Sequence, residues 1–524
     1  MATLALPRER THEINPWLIA ATVMLATFME VLDTSVANVS LPHIAGNLSA
    51  SVDESTWVLT SYLVSNAIVL PLTGWLSNVF GRKQFYMACV TIFTISSFLC
   101  GLAPSLGMLV FFRVLQGAGG GGLQPISQAI LVDHFPREKQ GMAMAVYGMG
   151  VVVAPTIGPT LGGWITDDFT WRWIFFINIP VGILSILMTS LLIKNPAHQE
   201  KRKLKIDYIG LGLLSVGVGF LQVVLDKGQR DDWFGSHFIE WATIVAVIAI
   251  VGVIIWELRQ KEPMIDLRLL KERNFAIAVF TMYILGFVLY GTTVLLPILL
   301  QTELGYTAMQ SGLVLLPGGV CMMMIMPLVG WGLGKFEARW LVVVGLLITG
   351  TGLFLMGSRF DLQMGIQTPV LVWIVSRFGV AFLFVPINVI AFYYVDKLKT
   401  NDATGIINLA RNIGGSMGIS FVTTLLDRGG QSNQVTLGAH ITAMNQYFQA
   451  AMQATAQRLM AAGSSATEAM QQAQAMFYRT LQNQATMLSF IQDFRIMGYV
   501  CMAMIPVMFI LKKTKPGKSR GVAH

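Results

Sequence analysis

Apolar residues run along this chain in blocks of about twenty, with the polar residues gathered between the blocks rather than alternating with them. A helix rises 1.5 Å per residue, so about 20 apolar residues cross a hydrocarbon core of roughly 30 Å. Blocks of that kind lie at 17 to 41, 56 to 78, 85 to 103, 107 to 131, 141 to 165, 173 to 193, 208 to 226, 238 to 257, 274 to 300, 311 to 333, 340 to 357, 368 to 392, 402 to 426 and 488 to 511. They predict an all-α membrane protein with fourteen transmembrane helices.

Composition agrees with a lipid solvent. The 524 residues are 54% hydrophobic and 12% charged, and the mean hydropathy is +0.61, outside the balance of soluble domains. Cys89, Cys100, Cys321 and Cys501 fall inside blocks without paired or metal-ligand spacing, so free thiols are expected and no metal or cofactor is called for. The first block is long enough to span and carries carboxylates, so it reads as a retained helix rather than a cleaved signal.

A net charge of +8 raises the question of a nucleic-acid partner, but the basic residues sort by loop. Arg82 and Lys83, Arg137 and Lys139, Lys194 to Lys205, Arg259 to Arg273, Lys335 and Arg339, Lys397 and Lys399, and both termini hold most of them. The short opposite loops hold Arg172, Lys227, Arg230 and Arg359. That bias predicts a multi-pass inner-membrane protein with both termini cytoplasmic, and excludes nucleic acid as a partner. The tails, 1–16 and 512–524, are short and basic and lie near anionic membrane lipid.

The sequence repeats. Pro71-Leu72-Thr73-Gly74-Trp75 returns as Pro327-Leu328-Val329-Gly330-Trp331, each time leading into a basic loop, and Pro42 with Pro297 and Arg113 with Arg377 keep nearly the same offset. The chain divides into a six-helix bundle at 17–193, two inserted helices with basic linkers at 194–273, and a second six-helix bundle at 274–511 that includes a long outer loop, 428–487. Parallel repeats of six helices place substrate at the midplane between halves.

Several segments carry a family resemblance. Gly74 to Lys83 is similar to the loop between the second and third spans of major facilitator proteins, with Asn78 where an acidic residue is usual. Arg113-Val114-Leu115-Gln116-Gly117 resembles the buried-arginine motif of the same superfamily. The run from Gly150 to Gly163, with Pro155, Gly158, Pro159 and Gly162, resembles the span-five motif of its exporters. Glu30 to Val39 and Trp171 to Pro180 narrow the resemblance to the fourteen-span drug:proton antiporters of the EmrB/QacA type, over essentially the whole chain. That resemblance implies a major facilitator fold and proton-coupled export of hydrophobic or amphipathic drugs. It also implies partners, a periplasmic adaptor and an outer-membrane channel of the EmrA/TolC kind.

The residues themselves suggest chemistry. Asp33 lies about 24 Å along the first helix from Trp17 and about 13 Å from Pro42, near the midplane. A carboxylate there costs about 2.5 to 3.5 kcal/mol and is kept when it faces water or a buried partner. Asp33 is the expected proton-coupling site. Glu30, three residues earlier on the same face, is expected to titrate with it and share a proton. Arg113 cannot lose its charge and would tune the pair. The structural alternative is that Asp33 only neutralises Arg113. Asn38, Gln116, Tyr290, Arg377, Asn388, Arg411 and Asn412 are candidates for the substrate cavity, with helix bridging an equal alternative for Arg377, Arg411 and Asn412. Gly74, Asn78, Gly81, Arg82, Gly150, Pro155, Gly158, Pro159, Gly162 and Gly163 are candidates for gating.

Gly117 to Gly122 fits a dinucleotide fingerprint but lies inside a spanning helix with no strand before it, and no phosphate-cradling loop follows elsewhere, so neither an enzyme nor an ATP-driven pump is expected. Asn445 to Gln457 and Thr467 to Gln484 predict an outer helical hairpin, either an adaptor dock or a lid. Two rival functions stand beside drug export: a same-fold exporter of a metabolite, siderophore or lipid, and a membrane scaffold or sensor.

Overall fold

The computed structural model describes residues 15–193, 207–261, 263–439, 441 and 445–513. The basic linker 194–206 and most of both tails lie outside the described residues. Every apolar block is helical: α1 Pro16–Val39, α2 Trp57–Phe80, α3 Arg82–Leu102, α4 Leu106–His134, α5 Gln140–Asp168, α6 Trp173–Leu192, α7 Tyr208–Lys227, α8 His237–Arg259, α9 Arg273–Thr302, α10 Ala308–Gly332, α11 Ala338–Arg359, α12 Gln367–Phe392, α13 Thr400–Gly438 and α14 Ala466–Ala503. Twelve of the described helices are long and apolar enough to span, and α5, bent by 42° beside Pro155, makes a thirteenth. The remaining block, α13, is helical but diluted by Asn401, Asp402, Asn408, Arg411 and Asn412.

Local chemistry sets the ends of these helices. Asn15 caps α1 through the amide of Trp17, with Pro16 supplying a helical φ at the first position. Asp207 caps α7, Glu272 caps α9, and Thr307 with Gln310 closes a reciprocal capping box at α10. Outer faces stay apolar where lipid replaces water. Ile95, Phe111, Leu187, Trp241, Ile248 and Leu328 all stand exposed, an arrangement that a water-soluble protein of this size avoids.

The repeat seen in the sequence recurs in the packing. α1 packs on α5 and α6 as α9 packs on α13 and α14; α4 packs on α2 and α3 as α12 packs on α10 and α11; α3 packs on α6 as α11 packs on α14. Two seams join the halves, α5 against α10 and α2 against α13. The inserted α7 packs on α8, α2 and α13. Glycines bring backbones together along these lines. A methyl group at Gly330 would stand 2.7 Å from the Gly141 carbonyl oxygen, and one at Gly414 would stand 2.9 Å from the Tyr283 carbonyl carbon.

The long loop 428–487 is more helical than its polar composition suggests. α13 runs twelve residues beyond the expected end at 426, and α14 begins at Ala466 and continues unbroken into the last apolar block. A short helix, Gln446–Ala461, packs on α14 through Ala456, Ala469 and Ala473. The break falls at Gly463, whose φ of 107° suits glycine, and Ser465 with Glu468 caps the returning helix.

Candidate functional site

Two polar clusters hang from one face of α1. Asp33 sits inside the first: Arg113 Nη1 donates to its Oδ2 at 2.5 Å, and Gln116 Nε2 and Asn178 Nδ2 donate to its Oδ1 at 3.0 and 2.8 Å. Arg113 is fully buried, also donates through Nε to the Val58 carbonyl at 2.9 Å, and lies over the Tyr62 ring at 4.2 Å. Asn178 reaches onward to Ser97 at 3.0 Å. α4 supplies the arginine and the glutamine one turn apart, and α6 supplies the asparagine, so three helices converge on one carboxylate. Such additional hydrogen bonds help to hold an ion pair this deep, although Arg113 Nη2 has no hydrogen-bond partner.

Glu30 belongs to a second cluster. Tyr62 and Asn66 donate to its Oε1 at 3.1 and 3.2 Å, and Gln124 donates to its Oε2 at 2.6 Å. The two carboxylates therefore sit among separate sets of donors. Three residues along a helix turn them about 60° apart, and each meets its own donors, with Tyr62 touching both groups. Gln124 also links the halves, because its Oε1 accepts from Arg411 Nη2 on α13.

That link is the midplane rung of a polar ladder. Asn408 donates to Gln128 at 2.7 Å, Gln128 donates to Asn388, and Tyr147 donates to Asn408 at 3.2 Å. At the end carrying the basic loops, Asn401 donates to Asn78 at 3.0 Å and Gly74 abuts Asp402. Among the described residues, these direct side-chain hydrogen bonds between halves all lie from the midplane toward the basic-loop end. The seam is sealed there.

The remaining candidates scatter. Gln116 is buried in the Asp33 cluster. Asn38 is exposed beside the end of α1, and Asn412 is half-buried. The Tyr290 ring lies against Gly415. Arg377 donates to Thr292 and Thr293 at 3.1 and 2.9 Å, inside the second half. Among the gating candidates, Gly81 adopts a φ of 90° between α2 and α3, and Arg82 pairs with Asp133 and the Ala129 carbonyl within the first half. With Asn78 neutral, an amide pair takes the contact across the seam. On α5, Gly150, Gly158 and Gly162 face Met24, Ser35 and Val36 of α1, Ser35 donates to the Pro155 carbonyl at 3.2 Å, Pro159 lies within the bent helix, and Gly163 faces open space. The glycines of the span-five motif thus pack on α1, while Thr160 within the motif, with Gly141 and Gly148 before it, faces α10 across the seam.

A profile of the Major Facilitator Superfamily matches residues 23–419. The chain belongs to that superfamily. It is 39% identical over 408 residues to the Multidrug export protein EmrB of Escherichia coli (strain K12), covering 78% of this chain and 80% of the relative. It is 38% identical to the Fatty acid resistance protein FarB of Neisseria gonorrhoeae, covering 95% and 96%. Among solved structures, the major facilitator proton:xylose symporter XylE overlays with a TM-score of 0.61 at 14% identity, over 96% of this chain and 97% of the other, a likeness of fold. Within the superfamily the chain is an EmrB-like multi-pass permease.

Sequence reasoning passed over several members of this facilitator's polar interior. Tyr62, Asn66, Gln124, Gln128, Asn178 and Asn408 are neutral, and single amides in apolar blocks resemble ordinary helix glue. Their common signal was spacing: Gln124 and Gln128 stand one turn apart, as do Tyr62 and Asn66, so each pair shares a face. Asp493 on α14 is a further buried acid outside the sequence candidates; its side chain is buried and its Oδ2 has no hydrogen-bond partner.

Proposed function

We propose that this permease exports lipophilic and amphipathic drugs across the inner membrane in exchange for protons, by alternating access between the bundles 17–193 and 274–511. Asp33 carries the reading: a carboxylate near the midplane, held by Arg113, Gln116 and Asn178, can exchange a proton for its hold on the guanidinium. Protonation would weaken the ion pair and let α4 and α6 shift against α1. Glu30 supplies the second step, since Gln124 ties it to Arg411 of the other half. Coupling then needs no metal, nucleotide or covalent intermediate.

The basic-loop bias favours cytoplasmic termini and an arrangement closed toward the cytoplasm through the Asn78, Gly74 and Gln128 contacts. Names of relatives support the cargo class: EmrB is a multidrug export protein, and a relative from Acinetobacter baumannii is named for colistin resistance. The hairpin 446–484 fits a periplasmic adaptor dock, with an outer-membrane channel beyond it. A second reading, export of a dedicated lipid, is favoured by the FarB relative's name.

The test is efflux of neutral, cationic and anionic lipophilic dyes from cells, with and without a protonophore. Proton exchange requires efflux of whichever dye is carried to collapse with the gradient. Efflux that persists after the gradient is gone would overturn it.

A further inference from the structure

Gln124 stands between two buried charges that belong to different halves of the molecule. Its Nε2 donates to Glu30 Oε2 on α1 at 2.6 Å, and its Oε1 accepts from Arg411 Nη2 on α13. Glu30 is 3% exposed and Arg411 4%. Gly120, one turn before Gln124 on α4, clears the approach: a methyl group there would stand 3.4 Å from Glu30 Cγ and 2.6 Å from the Tyr62 hydroxyl. Arg113 with Asp33 and Arg82 with Asp133 pair directly, each inside the first half. At this rung of the seam, acid and guanidinium are instead kept apart by one neutral amide.

The two charges dictate which way that amide points. A guanidinium only donates, so the carbonyl oxygen must face Arg411; an ionised carboxylate only accepts, so the N–H must face Glu30. Both bonds are charge-assisted, the stronger kind. A proton on Glu30 undoes the match. On Oε2 it sets an O–H against the amide N–H, and turning the amide over to accept it would present N–H to the guanidinium, donor against donor. On Oε1 it competes with the donors Tyr62 and Asn66 and leaves Oε2 a neutral acceptor. Either way the hold on Arg411 weakens. The other charged or titratable groups facing Glu30 are Asp33 on its own helix, Tyr62 on α2 with Arg113 of α4 behind it, Tyr147 on α5, Tyr290 on α9 and Arg411 itself, while α6 carries none.

We propose that Gln124 is an amide latch, holding the halves together while Glu30 is ionised and releasing Arg411 when Glu30 takes a proton. The proposal rests on the export reading and deepens its second step, naming the residue through which a proton on the first half is felt by the second. A direct pair of acid and guanidinium across the seam would strand two buried charges at every opening. The intervening amide leaves Glu30 with Tyr62 and Asn66, and Arg411 beside Phe384, each in its own half.

The experiment reads the seam itself, on the full chain in phosphatidylcholine nanodiscs without substrate or gradient. Spin labels at K139C and K335C, beyond the basic-loop ends of α5 and α10, report the ratio of closed to open molecules by double electron–electron resonance, and C321S removes the one native thiol that is not buried. Wild-type protein should be closed at high pH and open as the pH falls, the ratio changing by up to about tenfold per pH unit for one proton. E30Q and Q124M should each lower the ratio at high pH by about tenfold, the equivalent of about 1.4 kcal/mol. E30Q/Q124M should lower it no further than either alone, because both act through one contact. Opening contributed by Asp33 persists in E30Q and cancels from the cycle. Additive effects of E30Q and Q124M overturn the proposal. So does a ratio that Q124M lowers by the same factor at every pH, which is the mark of a packing residue. Q124E checks the latch without removing polarity: Arg411 then meets a charge directly, so the seam should stay closed to a lower pH than in wild type, and opening at the wild-type pH or above it overturns the latch. The two readings fail separately, since gradient-driven efflux with an additive cycle sinks the latch alone, and a non-additive cycle with efflux that ignores the gradient sinks antiport alone.

Discussion

Replacing Asp33 by asparagine separates a coupling carboxylate from a structural one. The change keeps size and one acceptor oxygen, so Gln116 or Asn178 retains a partner, while the fully buried Arg113 is left with the Val58 carbonyl, the Gln116 amide and the Tyr62 ring. Removing one member of a buried pair costs about 3 to 5 kcal/mol, and asparagine should fall at the lower end, with leucine at the upper end because it removes every acceptor. D33N/R113Q should recover part of that loss, since neither charge is then stranded. Stability alone does not decide the role. In proteoliposomes, D33N should still exchange labelled for unlabelled substrate across the membrane, yet lose accumulation driven by a pH gradient by about tenfold or more. A scaffold role lowers exchange and accumulation together. Wild-type accumulation at wild-type rate in D33N would refute the assignment of Asp33 to proton coupling.

Other perturbations read other parts of the machine. E30Q should keep the Tyr62 and Gln124 contacts in altered form, preserve exchange, and reduce the protons moved per substrate, measured with a pH-sensitive dye inside vesicles. N78C/N401C joined by a short thiol crosslinker should stop transport, and cleavage of a reducible linker should restore it; full activity while crosslinked would show that this end of the seam need not open. G330V places branched carbon against the Gly141 backbone, where a single methyl already stands 2.7 Å from the carbonyl oxygen, so it should hold the seam apart at the basic-loop end. The readout is faster thiol labelling of a cysteine at Asn408, with no change expected if α5 and α10 do not form the closed gate. Deleting 437–484 should abolish adaptor pull-down and leave substrate binding to the purified permease unchanged; loss of both would make the hairpin a lid.

Most of the architecture was legible because lipid imposes length and apolarity on each helix, and every predicted block became one. The exceptions are instructive. α13 was found in spite of its polarity, since Asn408, Arg411 and Asn412 fall inside a run that still contains Ile406, Ile407, Ile413 and Ile419; its extension to Gly438 was hidden because a polar helix leaving the membrane has the composition of a loop. Asp33 and Arg113 stood out as charges at midspan, and they do meet. Gln124, Gln128 and Asn408 could not be recognised in advance, because a neutral amide costs little enough in an apolar helix to occur for packing alone, and only the fold shows that these three bridge halves separated by more than 250 residues in sequence. Glu30 and Asp33 meet different donors for a geometric reason: sequence spacing fixes where two side chains leave a helix and leaves open which neighbours receive them.

The inserted pair explains how fourteen helices keep a twelve-helix logic. Both ends of the insertion fall at basic-loop connections, so the order and packing of helices within each repeat are undisturbed. α7 then occupies the side of the α2 and α13 seam away from the basic loops. Asp226 accepts from Thr60, and Lys227 donates to Thr56 at 2.9 Å and lies over Trp57, all on the first half. Gln222 and Ser416 bond each other at 3.0 and 3.1 Å, Gln229 donates to Asp427 at 2.8 Å, and Trp233 donates to Thr424 at 3.1 Å, all on the second. Where α2 and α13 meet directly they are joined by Asn78 and Asn401; toward the other end α7 bonds to both. A rocking motion that changes the spacing of α2 and α13 must therefore break one of these two sets. The bonds to α2 include a buried lysine and a carboxylate, whose separation would strand charge, whereas those to α13 are amide, hydroxyl and indole contacts and one bond to the exposed Asp427 carboxylate, all of which water can replace. α7 should accordingly travel with the first half, so that a disulfide in T60C/D226C permits transport while one in Q222C/S416C arrests it until reduced. Arrest by the first and tolerance of the second would reverse the assignment.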